Sequence, residues 1–120
     1  IDINDKDHDG QTPLMQAASH GHQDVALFLL EHGAAVNLAD RNGNTSLIRA
    51  STNGHHDTTL LLLLNGATVD ATDRKGRTSF YFASKNGHPE TAGVLLEHGA
   101  KVDIADDSGR TSLINASQRG

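Results

Sequence analysis

Apolar residues along this chain come in short helical blocks separated by polar, glycine-rich stretches. Leu14, Ala17 and Ala18 stand at the i, i+3, i+4 spacing that shares one helix face, with Gln16, Ser19 and His20 on the other. A second, leucine-rich block with Leu29 and Leu30 follows beyond Gly21, and after a polar interval the same pattern opens again. The first helix of each pair is expected to run about nine residues from a threonine to a glycine. Thr12, Thr45, Thr78 and Thr111 supply hydroxyls that cap free amides. Pro13 fits a first helical position, which Ser46, Ser79 and Ser112 take in the other copies. Gly21, Gly54 and Gly87 suit the left-handed residue beyond a helix end. In the second helices Asp24, Asp57 and Glu90 lie near the positive N-terminal end and His32 and His98 near the negative C-terminal end.

The blocks return at a fixed interval: Asp7, Asp40, Asp73 and Asp106 stand 33 residues apart and open near copies of one sentence. This divides a single domain, 1–120, into the tail of a preceding copy (1–6), three full copies (7–39, 40–72, 73–105) and a partial one (106–120). Ile1 to Asn4 align with Ala34 to Asn37, so the chain reads as an excerpt of a longer array. Helices shorter than about 12–15 residues are marginal alone, so each copy must bury its apolar face on its neighbours. Leu14, Ala17, Leu29, Leu30 and their equivalents are the expected seam. Leu64 stands where other copies have Glu31 and Glu97, and reads as an exposed leucine. Gly93, inside a second helix, is expected to loosen copy 3.

The residues that carry the period resemble the ankyrin repeat. Gly-Gln-Thr-Pro-Leu-Met-Gln-Ala-Ala at 10–18, Gly21-His22, and Leu29 through Asn37 carry the likeness, which covers essentially the whole chain. The family commonly has histidine after Thr-Pro-Leu, whereas Met15, Ile48, Tyr81 and Ile114 stand there, so apolar packing is expected in place of a polar contact between copies. The resemblance implies an all-α solenoid of stacked helix-turn-helix units, with β-turn fingers projecting beside a concave face of first helices. It also implies protein binding, and it marks Asn37, after Val36, as a candidate substrate of an asparaginyl hydroxylase.

Composition narrows the function further. The chain has no cysteine, which excludes disulfides and thiolate chemistry and fits a cytoplasmic protein, with the nucleus as an alternative. The longest apolar run, Leu60 to Leu64, is far below the roughly 20 residues of a membrane span. No phosphate loop or nucleophile elbow occurs, so neither an enzyme nor a cofactor is expected. The eight histidines fall mostly in repeating framework slots, with no companion ligand set for a metal. They do make charge responsive to pH, since protonating all eight takes the net charge from −5 to +3. Three Phe and one Tyr in a net acidic chain argue against nucleic-acid binding.

Charge and variability locate the candidate site. At about 100° per residue, the outward slots of the first helices are Gln16, Ser19, His20; Arg49, Thr52, Asn53; Phe82, Lys85, Asn86; and Asn115, Gln118, Arg119. These vary between copies, as do the turn tips. Eight of the ten basic residues fall in these two sets, so an acidic peptide or domain is the expected partner. The candidate partner-binding residues are Arg41, Arg49, Asn53, Arg74, Lys75 and Arg77, together with Phe82, Lys85, Asn86, Arg110 and Arg119. The opening aspartates are read as holding the turns. A structural spacer within a larger protein is the alternative role. Leu113, Ile114 and Ala116 expose a terminal seam through which self-association is open.

Overall fold

A computed structural model describes residues 2–102. They form six helices in three pairs: α1 (Pro13–Ser19) with α2 (Gln23–Glu31), α3 (Ser46–Thr52) with α4 (His56–Leu64), and α5 (Ser79–Lys85) with α6 (Pro89–Glu97). The first helices stack in one row and the second helices in another, which is the all-α repeat solenoid expected. Among the described residues β structure is limited to two isolated antiparallel bridges, Ala39 with Thr45 and Thr72 with Thr78, which pinch the bases of the projecting turns. Arg110, Arg119 and the terminal seam of Leu113, Ile114 and Ala116 lie outside the described residues.

The helix starts follow the sequence signals. The side chain of Thr12 accepts from the Met15 amide, that of Thr45 from Ile48 and that of Thr78 from Tyr81, at 3.1–3.3 Å. Proline is dispensable at this start, since Ser46 and Ser79 take its place and are buried. The first helices have seven residues rather than about nine, because His20, Asn53 and Asn86 already leave helical geometry before each glycine. At the ends of the second helices His32 Nδ1 lies 2.8 Å from the Phe28 carbonyl oxygen and His98 Nδ1 2.9 Å from that of Val94. Asn65, uncharged, donates to the Leu61 carbonyl at 2.8 Å in the same position. The shared feature of these three sites is therefore a hydrogen bond to a carbonyl of the last turn, and charge is secondary.

Leu14, Leu47 and Phe80, with Ala17, Ala50 and Ala83, form one side of a continuous core, and Ala26, Leu62 and Leu95 the other. Met15, Ile48 and Tyr81 are buried in successive copies, so apolar packing occupies the slot. Leu64 is exposed, and no atom lies within 4 Å of a Cβ added at Gly93. Position within the stack matters as much as residue type. Val25 is 51% exposed, whereas Thr58 and Thr91 at the same position of copies 2 and 3 are each 1% exposed. Only the inner copies have a described copy ahead of them to cover that slot.

Polar side chains tie the copies together. His55 Nε2 lies 3.1 Å from the Ser19 carbonyl oxygen and His88 Nε2 3.1 Å from that of Thr52, each ring resting against the glycine of the preceding copy. Backbone bonds join neighbouring fingers, from Arg41 N to Asp9 O and from Arg74 N to Asn42 O, both 3.0 Å.

Candidate binding groove

The finger turns are built by their opening aspartates. In copy 2, Asp40 Oδ1 accepts from the amides of Asn42 and Asn44, and in copy 3 Asp73 Oδ1 accepts from those of Lys75 and Arg77, all at 2.9 Å. The second carboxylate oxygen of each does something the sequence reading did not assign. Asp40 Oδ2 pairs with Arg49, and Asp73 Oδ2 takes Nε and one terminal nitrogen of Arg77, both at 2.9 Å. The aspartate side chains are only 2% and 3% exposed. Burial pushes the Asp40 carboxyl up. The Arg49 hydrogen bond, the amides of Asn44 and Asn42 and the Arg49 charge outweigh it, leaving the group below its ordinary range.

This pairing revises the charge map. The opening aspartates hold the turns, as read from the sequence, but they also neutralise two of the arginines assigned to the basic strip. Among the described residues, Arg41, Arg74 and Lys75 are exposed at the finger tips and have no carboxylate partner. Lys85 is half-buried, its ammonium 5.8 Å from the Tyr81 ring centroid. The second helices carry Asp24, Glu31, Asp57, Glu90 and Glu97, all exposed, and no lysine or arginine. The fingers of copies 2 and 3 and the outer helices thus carry opposite charge.

Between the fingers and the first helices lies an open depression of about 400 Å³ spanning all three copies. Ser19 reaches it from copy 1, Asn44, Thr52 and Asn53 from copy 2, and Phe82 from copy 3, with Arg49 and Arg77 between them. The Arg77 guanidinium sits 4.8 Å from the centroid of the half-buried Phe82 ring. Asn53 Nδ2 donates to the Ser19 carbonyl at 2.8 Å and Asn86 Nδ2 to that of Thr52 at 3.1 Å, so both asparagines bridge copies, and Asn53 also lines the depression. Ser19, Thr52 and Asn44 line the depression too; the signal for them in the sequence was that their slots vary between copies.

The asparagine singled out for modification is built into the stack. Asn37 Nδ2 donates to the Gly66 carbonyl at 3.1 Å and its Oδ1 accepts from Thr68 N at 2.9 Å, an arrangement Asn4 repeats with Gly33 and Ala35. Among the described residues no group of three or more His, Asp or Glu side chains is placed to hold a metal ion, and no helix is long and apolar enough to cross a membrane.

The family whose model matches the chain is described as ankyrin repeats (3 copies), and the matches cover residues 1–73 and 58–120. No curated protein matches the chain significantly.

Proposed function

We infer that the chain, which belongs to the ankyrin-repeat family, uses its groove and finger tips to bind an acidic segment of another protein. Ankyrin repeats are generally protein–protein interaction modules and typically non-enzymatic. The observation that carries the finer reading is the separation of charge. Among the described residues, Arg41, Arg74 and Lys75 project without carboxylate partners from the fingers of copies 2 and 3, while the outer helices are acidic. A field of this polarity orients an approaching acidic chain toward the fingers. Arginine's planar fork then suits a carboxylate once contact is made.

The test is a pull-down from cell extract with the intact chain and with a variant carrying Arg41→Glu, Arg74→Glu and Lys75→Glu. A partner retained by the intact chain, lost by the variant and eluted by moderate salt is the expected result. Identical protein sets from both would instead assign the stack a spacer role. Arg49 and Arg77 are unsuitable for charge reversal, because a glutamate there would face buried Asp40 or Asp73.

A further inference from the structure

We propose that the depression between Arg49, Arg77 and Phe82 seats one uncharged aromatic side chain of the partner, with carboxylates of the same segment reaching the finger cations beside it. The inference rests on the acidic-segment reading above and specifies the chemistry that the segment must carry.

The two guanidiniums in the depression are not available to carboxylates. Moving either onto an incoming carboxylate would strand Asp40 or Asp73, whose side chains are 2% and 3% exposed. What they offer instead is flat cationic surface, and Arg77 already uses it against Phe82 at 4.8 Å. A third flat group placed beside them extends the stack and leaves both ion pairs intact. The size agrees, since about 400 Å³ holds one aromatic side chain with a few waters. A tyrosine hydroxyl or tryptophan N–H needs a partner when buried. The Asn44 side chain makes no hydrogen bond among the described residues and lines the same depression.

The cations set the spacing of the acidic residues. Arg41 tips the finger of copy 2, and Arg74 and Lys75 tip that of copy 3. Stacked helices sit about 8–10 Å apart, and an extended chain advances about 3.3 Å per residue. A segment crossing the fingers therefore meets them with a carboxylate at about every third residue, the aromatic group lying between.

The experiment selects peptides from a random 12-residue library on the intact chain at low and moderate salt. Enrichment of acidic residues together with one aromatic position is expected. The chain has no tryptophan, so the emission of a tryptophan in a selected peptide reports its own burial and should shift to the blue on binding. Replacing that aromatic by alanine should weaken binding at least tenfold. Phe82→Ala should remove that difference while acid-dependent binding persists. Arg77→Lys, which keeps the charge against Asp73 and loses the planar face, gives the same readout if Phe82→Ala does not fold. Acidic enrichment without an aromatic preference overturns the aromatic anchor and leaves the acidic-segment reading standing. Enrichment without acidic residues, or none above background, overturns both.

Discussion

The imidazole of His55 is seated on Gly21 of the preceding copy, so closely that a Cβ added at Gly21 would lie 2.5 Å from His55 Nδ1. His88 repeats the arrangement on Gly54 at the same distance, with its Nε2 held 3.1 Å from the Thr52 carbonyl oxygen. Each glycine therefore serves two purposes. Its φ of +68° or +74° ends the turn, and its missing side chain leaves room for the next copy's ring.

Gly54→Ala should destabilise the chain more than Gly66→Ala. Both positions have positive φ, +74° and +93°, which costs a side-chain-bearing residue about 1–2 kcal/mol. Only at Gly54 would the methyl also displace an imidazole, since nothing lies within 4 Å of a Cβ at Gly66. Urea denaturation followed by circular dichroism would compare the midpoints, and equal shifts would mean that the interlock contributes nothing.

Gly93→Ala should stabilise copy 3. The position is inside α6, its φ is not positive and a Cβ there meets open space. The expected gain is about 1 kcal/mol from helix propensity, read as a higher denaturation midpoint with unchanged partner binding.

Charge reversal at two arginines should give opposite kinds of result. Arg49→Glu removes the partner of a carboxylate that is 2% exposed and should cost about 1–3 kcal/mol of stability. Arg41→Glu, at an exposed tip with no ion-pair partner among the described residues, should change stability by no more than about 0.5 kcal/mol while weakening an acidic partner. Thermal melting of the two variants separates these effects.

Acid should weaken the fold partly through Asp40. Its carboxyl titrates below the ordinary value of 3.8 in the folded chain, so protons bind more readily to the unfolded state. The stabilisation is complete above that value and is lost as pH falls through the lower, folded one. Asp40→Asn should lower the melting temperature at neutral pH and flatten its fall below about pH 4. A variant with the unaltered slope would show that other carboxylates carry the acid response.

The repeat, the helix pairs and the threonine caps were legible in the chain itself, because each depends on signals within a few residues and recurs in register. A hydroxyl at Thr45 reaches the amide of Ile48 whatever else the chain does. Asn37 stood out in the sequence only as the residue after Val36 that the resemblance marks for modification, and its partners in the next copy, Gly66 and Thr68, became visible only in the stack. Tertiary structure decided the electrostatics of the groove. Each inner copy satisfies its buried aspartate with one arginine, but copy 2 supplies it from the helix as Arg49 and copy 3 from the finger as Arg77. The sequence leaves each copy an arginine at only one of these two positions, since Asn44 stands where copy 3 has Arg77 and Phe82 where copy 2 has Arg49; that both arginines reach the equivalent carboxylate oxygen is visible only in the folded turn. The same holds for His55 on Gly21, since a ring and a glycine in different copies meet only when the helices stack. Burial then turned two apparent binding charges into structural ones, because a carboxylate removed from water keeps its counterion.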